Sequence, residues 1–391
     1  MVLFLCFKLL CFFYMKRILI FSTAYLPLVG GAEIAVKEIT SRIDDIEFDL
    51  ITAKLKSGLP AKEKIGNVVV YRVGVGVWLD KFLLPVFGLS LAFKLYKTQR
   101  YSLAWAMMAS QASVAAVFFS YLKKVKLLTT LQEGDEEEHL KRYVSGSSLL
   151  YSLLIKPWHT LAIKKADHIQ VISEYLAKRA KLSGAKCFIE VIPNGVDVDL
   201  FTQSIPSKIQ FELKNKLNIA NARVIISVSR LVHKNGLDTL IKALKYIDNV
   251  KLILIGTGNQ ENKLKALDVE NKAIFLGNIQ NNKIPSYLNI ADVFARPSRS
   301  EGQGISFLEA MAASVPVVAT PVGGIVDFIE HEKTGMLAQV DSSEDVAQNI
   351  QKLLDNEDLR KKIIENSLNL IKEKYDWDHI AQKMNKLFIK L

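Results

Sequence analysis

Residues 291–324 read ADVFARPSRSEGQGISFLEAMAASVPVVATPVGG, and the pattern of this stretch decides the fold. Its apolar run VFA predicts the end of a buried strand, PSRSEGQG predicts a loop, and SFLEAMAA predicts the helix that follows. A strand that leads through a glycine-containing turn into a helix is typical of α/β proteins with parallel sheets. The turn is therefore expected to open onto a helix N-terminus.

This turn is suited to an anionic ligand that carries hydroxyl groups. The free backbone N–H groups around Gly304, Ile305 and Ser306, together with the positive end of the helix dipole, favour a phosphate. Glu301 and Glu309 flank the turn, where carboxylates can accept hydrogen bonds from sugar or ribose hydroxyls. An isolated pair of glutamates is more often a pair of solvated surface charges, so the surrounding pattern has to decide.

Apolar strand patterns alternate with helical patterns in both halves of the chain. The strand candidates are RILIFSTA, EFDLIT, VVVYRV, SLAWAMMA, VKLLTTL and HIQVIS in the first half, and VIISVS, KLILIG, AIFLG, DVFAR and VPVVAT in the second. They predict two Rossmann-like, doubly wound parallel sheets with a substrate cleft between the domains, at the carboxyl ends of the strands. Pro193, Asn194-Gly195 and Pro206 interrupt regular structure, which places the domain boundary near residue 200.

SEGQGISFLEAMAASVPVVATPVGG resembles the signature of glycosyltransferase family 4, retaining enzymes of the two-domain GT-B architecture. Four further stretches resemble the family's motifs in the family's order: MKRILIFSTAYLPLVGGAE (15–33), ADHIQVISEYL (166–176), VIPNGVDVDLF (191–201) and VIISVSRLVHKNGLDTLIKAL (224–244). The resemblance implies an acceptor-side domain over 15–200 and a nucleotide-sugar donor domain over 201–370. It also implies that a C-terminal helix over 371–391 crosses back to the first domain.

The same resemblance implies roles for individual residues. Glu309 would accept hydrogen bonds from the ribose hydroxyls, and Glu301 would hold and position the donor sugar. Arg230, after the strand that ends in SVS, would neutralise the departing diphosphate together with a lysine. The family's usual lysine position is shifted by one residue in this chain, so either Lys234 or Asn235 is expected to contact the diphosphate.

Candidates in the first half follow two predicted strands. Gly30 and Gly31, in LVGGAE, would let backbone amides approach the donor's phosphate or sugar. The family commonly places a histidine after the strand KLLTTL, where this chain has Gln132. Glutamine cannot take a proton at pH 7, which excludes a general base at this position. Gln132 and Glu133 are therefore expected on the acceptor side.

Neither a metal nor a cofactor is expected. Asp197-Val198-Asp199 and Asp376-Trp377-Asp378 match the Asp-x-Asp string of metal-dependent sugar transferases. The first string lies in the interdomain turn and the second at a helix start, so neither is expected to face a nucleotide. The three cysteines have no spacing that suits a zinc site or a disulfide framework, which favours a reducing cytoplasm.

The net charge of +11, on a chain of 391 residues that is 50% hydrophobic and 23% charged, indicates an anionic partner. No basic stripe interleaved with aromatic residues is present, so nucleic acid is not expected. Segments 81–126 and 140–165 mix long apolar runs with lysines and arginines. Such segments suit either peripheral contact with an anionic membrane or core helices with snorkelling lysines.

Residues 1–14, MVLFLCFKLLCFFY, are too short to span a bilayer and lack the features of a signal peptide. We favour an unused upstream start over an apolar membrane anchor, because Met15 begins the family-like MKRILIF.

The first functional hypothesis is a retaining, metal-independent glycosyltransferase. It would move a sugar from a nucleotide diphosphate to a glycan or lipid-linked acceptor at the cytoplasmic membrane face, as in surface polysaccharide biosynthesis. The alternatives are a GT-B nucleotide-sugar 2-epimerase and a catalytically silent GT-B binding or scaffold protein. The sequence does not distinguish UDP from GDP donors, because both offer the same diphosphate and ribose contacts.

Overall fold

The computed structural model describes residues 15–28, 30–132 and 156–391. The chain divides into two compact units. The first comprises the described residues up to Pro193 together with Ile380–Leu391, and the second comprises Asn194–His379. The predictions made for residues 1–14 and for 140–155 lie outside the described residues.

The first unit is built on an eight-stranded sheet. Its strands are β1 Lys16–Phe21, β2 Ile46–Ala53, β3 Lys62–Ile65, β4 Val68–Val73, β5 Leu103–Met107, β6 Lys126–Leu131, β7 His168–Val171 and β8 Phe188–Val191. Their spatial order is β3-β4-β2-β1-β5-β6-β7-β8. Neighbouring strands are parallel except β3 and β4, which are antiparallel. The direction of winding changes between β1 and β5, which makes their carboxyl ends the topological switch point of this sheet.

Apolar helices cover the sheet of the first unit. They are α1 Gly31–Thr40, α2 Asp80–Thr98, α3 Gln111–Lys123, α4 Lys156–Lys164 and α5 Glu174–Leu182. The core contains fully buried aromatic side chains such as Phe21 and Phe119, whose ring centroids are 5.9 Å apart. Burial of such rings, which remove large apolar areas from water, is the main force that holds helix and sheet together.

The second unit contains a six-stranded sheet. Its strands are β9 Arg223–Val228, β10 Val250–Ile255, β11 Ala273–Gly277, β12 Val293–Ala295, β13 Val317–Ala319 and β14 Met336–Leu337. They are ordered β11-β10-β9-β12-β13-β14 and are all parallel. The winding changes direction between β9 and β12, so the switch point of this sheet lies where those two strands end.

Helices pack on both faces of the second sheet, and the buried apolar residues of this unit form two clusters. They are α6 Val198–Phe201, α7 Ser207–Lys216, α8 Leu237–Ala243, α9 Glu261–Leu267, α10 Ile284–Leu288, α11 Ile305–Ala312, α12 Ser343–Asp355 and α13 Glu357–Lys374. Since both faces are covered, the strands read as continuous apolar runs, as expected for buried parallel strands.

The last helix, α14 Trp377–Lys390, has residues in both units. Within the second unit, the residues before it join the turn after β8, where the Val196 amide donates to the Tyr375 carbonyl over 2.7 Å. Within the first unit, Phe388 packs against Trp105 and Phe48, with ring centroids 4.9 and 6.0 Å apart.

The predicted class of two doubly wound α/β domains is confirmed. All eleven strand candidates contain a strand, but β3, β8 and β14 were not predicted. The antiparallel edge strand β3 corrects the expectation of a wholly parallel sheet. The segment around residue 200, expected to be irregular, contains α6, because the Asp197 carboxylate caps this helix by accepting from the Leu200 amide over 2.9 Å.

Segment 81–126 folds into most of α2, then β5, α3 and the first residue of β6. Leu84, Gly88 and Ala92 of α2 are buried, so this helix belongs partly to the core. Its first two turns and the loop before it nonetheless expose eight large apolar side chains, which are Val75, Val77, Trp78, Leu79, Phe82, Leu83, Val86 and Phe87. In the parts of the chain that the structure covers, no helix has both the length and the apolarity needed to cross a bilayer.

Candidate functional site

The candidate site of the second unit lies where β9 and β12 end. These strands are hydrogen-bonded neighbours, and the chain order changes direction between them. Arg230 follows β9 by two residues and Arg296 follows β12 directly. Ligands of doubly wound sheets bind at such a switch point, because the loops that leave the two strands diverge there and open a crevice.

Glu301 accepts three hydrogen bonds that fix its position. Its Oε2 accepts a hydrogen bond from Nη2 of Arg296 over 2.6 Å, and its Oε1 accepts from the Gly302 amide over 3.1 Å. Its backbone carbonyl accepts from the Gly324 amide over 3.3 Å. A Cβ on Gly323 would lie 1.7 Å from that carbonyl oxygen, so only glycine lets the Gly-Gly loop pack here. The Glu301 side chain keeps 16% of its surface exposed, which leaves the fixed carboxylate accessible to a ligand.

Arg296 organises the site, and sequence reasoning missed it. Its residue surface is only 5% exposed. Besides the ion pair with Glu301, Nη1 donates to the Ser306 hydroxyl over 2.7 Å and Nε donates to the Ser298 hydroxyl over 3.2 Å. The guanidinium carbon lies 4.5 Å from the ring centroid of Phe307. A cation at the end of an apolar strand, between Ala295 and Pro297, was the signal that could have revealed it.

Glu309 is buried on α11, with 9% of its surface exposed. Burial raises the pKa of this carboxyl to about 7, although the positive charge of Arg296 acts in the opposite direction. Burial also lowers the pKa of Arg296, while the negative charges of Glu301 and Glu309 raise it. The three groups therefore form one electrostatic cluster, and Arg230 is near enough to contribute to it.

The turn into α11 has the geometry of an anion-binding helix start. Gly304 takes φ +94°, a left-handed conformation that favours glycine, and a Cβ there would lie 2.8 Å from Cδ2 of Phe307. The first N–H groups of the helix, at Ile305 and Ser306, have no acceptor within the helix. The sequence predicted this turn and helix start, and the structure places both next to Glu301.

The loop after β9 carries the predicted diphosphate ligands. Arg230 is exposed. Lys234 lies in the 3₁₀ turn His233–Asn235 and is buried, with 9% of its residue surface exposed. The Asn235 amide group donates to the Arg230 carbonyl over 2.7 Å. Asn235 therefore fixes the loop backbone through its side chain. The contact of Lys234 or Asn235 with a diphosphate stays a prediction.

Arg299 joins this loop to the loop between β12 and α11, residues 296–304, which we call the signature loop. Its Nη1 and Nη2 bind the two carboxylate oxygens of Asp238 over 2.8 and 2.9 Å, and its backbone amide donates to the Lys234 carbonyl over 2.7 Å. The signature loop is thus joined to the loop of Lys234 by a backbone hydrogen bond, and to the start of α8 by a two-pronged ion pair, which is geometrically specific.

Two family models match this chain. The model described as "Glycosyltransferase Family 4" matches residues 29–200, and the model described as "Glycosyl transferases group 1" matches residues 209–370. Together the two matched stretches cover most of both units. The chain belongs to glycosyltransferase family 4.

Individual relatives agree with the family. A GDP-mannose-dependent alpha-(1-6)-phosphatidylinositol monomannoside mannosyltransferase of Mycobacterium tuberculosis is 31% identical over 234 residues, which is 56% of this chain and 60% of that protein. The match therefore spans about 60% of the length of that relative. The N-acetyl-alpha-D-glucosaminyl L-malate synthase of Bacillus anthracis is 25% identical over 93% of this chain and 94% of its own length.

A solved structure shows the same fold. HepE of Anabaena, determined in complex with UDP and glucose, superposes with a TM-score of 0.76 over 96% of this chain and 100% of its own chain, at 22% identity. At this identity the likeness concerns the fold alone, and it establishes the GT-B class for this family 4 chain.

The remaining predicted residues of this family 4 chain lie in its first unit. Gly30 precedes α1 and Gly31 is its first residue. Gln132 directly follows β6, and Glu133 lies outside the described residues. Gly30, Gly31 and Gln132 are therefore in a different unit from the site residues around Glu301.

The two Asp-x-Asp strings have local structural contacts. Asp197 caps α6, and Asp376 Oδ1 accepts from the Asp378 amide over 2.8 Å just before α14. Both contacts are typical of aspartates at helix starts.

Proposed function

We propose that this chain is a retaining, metal-independent glycosyltransferase that moves a sugar from a nucleotide diphosphate to a glycan or lipid-linked acceptor. The observation that supports this most is the Arg296–Glu301 pair at the switch point of the second sheet, beside the N-terminus of α11. A fixed carboxylate that can hold sugar hydroxyls thus lies next to N–H groups that favour a phosphate.

For the donor, the relatives support a nucleotide sugar. One relative is described as GDP-mannose-dependent, and the Anabaena structure contains UDP. The two differ in the base and share the ribose and the diphosphate, so both UDP and GDP remain candidates for this chain. In the proposed complex Glu309 accepts hydrogen bonds from the ribose hydroxyls, and Gly30 and Gly31 offer backbone amides to the donor.

For the departing diphosphate, two side chains and the start of α11 supply positive charge. Arg230 and Lys234 lie in one loop, and the amides of Gly304, Ile305 and Ser306 add the positive end of the helix dipole. Fixed donors of this kind stabilise the charge that develops on the leaving group without reorganising during the reaction. A divalent cation is then not required.

The transfer proceeds on one face of the donor sugar. The acceptor oxygen forms a bond to the anomeric carbon on the face that the diphosphate leaves, and the bond between that carbon and the phosphate oxygen breaks. The proton of the acceptor hydroxyl passes to the leaving phosphate, since Gln132 cannot accept it. Glu301 positions the sugar ring.

For the lipid-linked acceptor, the apolar surface before and in α2 is a site of contact with the cytoplasmic face of the membrane. Trp78 is 63% exposed and Phe82 is 52% exposed, and the Lys81 ammonium lies 4.8 and 5.0 Å from their ring centroids. Aromatic rings beside a lysine suit the interface of an anionic bilayer.

The loop that carries Trp78 is held by Asp80. Oδ2 of this fully buried residue accepts from the Gly76 and Val77 amides over 2.7 and 3.1 Å. Burial alone would raise the pKa of Asp80, but these hydrogen bonds outweigh it and the pKa lies below its ordinary value. The apolar side chains are thus presented from a fixed loop.

Calorimetric titration of the full chain with UDP, GDP and ADP in EDTA tests the donor site. We expect micromolar binding of UDP or GDP that is lost in Glu309→Ala and kept in Glu330→Ala, a change at an exposed glutamate of the same unit. Binding that requires Mg²⁺ would contradict metal independence. Failure of all three nucleotides to bind would instead favour the silent scaffold.

Product analysis tests the chemistry. With the donor so identified, the wild type is expected to hydrolyse or transfer the sugar with retention at the anomeric carbon, measured by NMR, whereas Glu301→Ala is expected to be inactive. An inverted product would overturn the proposed mechanism.

A further inference from the structure

A second pocket lies in the first unit, at the carboxyl ends of β5 and β6. Its cavity volume is about 30 Å³, and its described walls come from the residues after β5, the end of β6, and helices α4 and α5. The side chains that matter for its chemistry are Gln132, His159 and Arg179. This edge of the sheet adjoins the switch point between β1 and β5, where a doubly wound sheet binds its ligand.

Arg179 has an unused donor at this pocket. Its Nη1 atom is shielded from solvent and has no hydrogen-bond partner in the structure as described. Its guanidinium carbon lies 5.6 Å from the ring centroid of Tyr175, a contact that orients the group without using the N–H donors. Leaving a shielded guanidinium N–H unpaired is unfavourable, and an oxygen acceptor would remove that cost.

The composition of the pocket indicates which kind of hydrogen-bond acceptor would pair with Arg179. Ten described residues line it, and none of them is an aspartate or a glutamate. An arginine fork without a carboxylate partner matches a phosphate or a carboxylate, which can accept two parallel hydrogen bonds. His159 and Gln132 lie on the same walls.

We propose that Arg179 and this pocket bind an anionic group of the acceptor substrate, a phosphate or a carboxylate. This proposal rests on the glycosyl transfer proposed above. It adds that the acceptor carries a charged substituent. An acceptor hydroxyl near that anion would be placed at the carboxyl edge of the first sheet.

Titration of the full chain with inorganic phosphate and with succinate tests this site. Calorimetry measures the binding of each anion, and the melting temperature is measured in its presence. We expect saturable millimolar binding of at least one anion, and a rise in melting temperature that follows from ligand linkage. Arg179→Gln should weaken this binding by about tenfold or more, since a charge-assisted hydrogen bond is lost. Lys178→Gln is the matched control, because it removes the same charge from an exposed position of the same helix and should leave binding unchanged.

A titration of Arg179→Gln with UDP and GDP separates this proposal from the proposed function. Nucleotide binding equal to that of the wild type would show that the variant is folded and that the donor site is independent of the pocket. The proposal is overturned if neither anion binds the wild type saturably, or if both bind Arg179→Gln as tightly as Lys178→Gln. Arg179→Lys should recover part of the affinity, since it restores the charge but not the fork.

Discussion

Arg296 and Glu301 form an ion pair with 2.6 Å between Nη2 and Oε2, at side chains that are only 6% and 16% exposed. The same guanidinium also donates to the hydroxyls of Ser298 and Ser306. Arg296 thus connects the end of β12, the signature loop and the start of α11. The orientation of the Glu301 carboxylate depends on a residue that does not itself need to contact the donor.

Replacing Arg296 by methionine removes one partner of a largely buried pair. We expect the free energy of unfolding to fall by about 3 kcal/mol, because the Glu301 carboxylate would lose the cation that pairs with it in a largely buried position. Urea denaturation would measure this. Arg223→Met is the control, since Arg223 pairs with Asp292 at a more exposed position and such pairs contribute little.

Arg296→Lys keeps the charge and loses the planar fork. If Arg296 positions Glu301 for the transition state, kcat should fall by about 10- to 100-fold while the KM for the donor changes little. Steady-state kinetics with the donor identified by calorimetry would show this. A kcat equal to that of the wild type would mean that the position of Glu301 does not depend on this contact.

Glu309 should make the stability of the fold depend on pH. Its pKa in the folded protein is raised from the ordinary 4.5 to about 7, so the folded state binds this proton more tightly than the unfolded chain does. The stabilisation is therefore full below pH 4.5 and is lost as the pH rises to about 7, by on the order of 3 kcal/mol. Glu309→Gln should reduce this contribution, which urea denaturation at pH 5 and pH 8 would detect as a smaller difference between the two pH values.

The strands and turns of the site were predictable because their signals are local. The apolar run of β12, the glycine-containing loop and the apolar start of α11 follow each other within residues 293–312, and each element is specified by its own short pattern. The alternation of strand and helix patterns predicted that both sheets belong to the doubly wound class. Short strands such as β14, with two residues, carry too little periodicity to be predicted.

The contacts that connect the loops were not predictable, because they join residues whose side-chain directions depend on the tertiary fold. Arg299 binds Asp238 across 61 positions of sequence, and Gln303 binds Asn194 across 109. Arg179 and Gln132 likewise meet at one pocket from α5 and β6. A charged or polar residue inside a motif shows that a partner is needed, but only the folded chain shows which residue it is.

Nucleotide affinity should also depend on pH through Glu309, with the opposite sign. If the ionised carboxylate accepts hydrogen bonds from both ribose hydroxyls, the bound state favours deprotonation, and affinity should rise as the pH increases from about 6 to 8. Calorimetric titration of the protein with the nucleotide, at several pH values across this range, would measure the affinity. In Glu309→Gln affinity should be lower and nearly independent of pH over the same range. An affinity of the wild type that falls as the pH rises would indicate that the protonated carboxyl binds the ribose.

Gln303 should be essential for the stability of the second unit. Its amide Nε2 donates to the Asn194 carbonyl over 2.9 Å, and its Oε1 accepts from the Asn194 amide over 2.8 Å, with both residues buried. Gln303→Ala would remove both of these buried hydrogen bonds, so we expect a loss of about 2 to 4 kcal/mol in the free energy of unfolding. Gln351→Ala, which removes exposed contacts with Asp355 on α12, should cost less than about 1 kcal/mol. Equal losses in the two variants would show that the contact with Asn194 contributes little.

The apolar surface around Trp78 and Phe82 should bind anionic vesicles. The full chain is mixed with vesicles of phosphatidylglycerol and phosphatidylcholine, which are then sedimented. We expect more protein to sediment with the vesicles at low salt than at high salt, because salt screens the attraction between Lys81 and the anionic lipid. The double variant Trp78→Ser/Phe82→Ser should bind at least about tenfold more weakly, since two aromatic side chains no longer enter the interface. Phe211→Ser provides the control, because Phe211 is 62% exposed on α7 of the second unit and should not contact the lipid. If the control loses binding as the double variant does, or if both variants bind like the wild type, the membrane contact lies elsewhere on the protein.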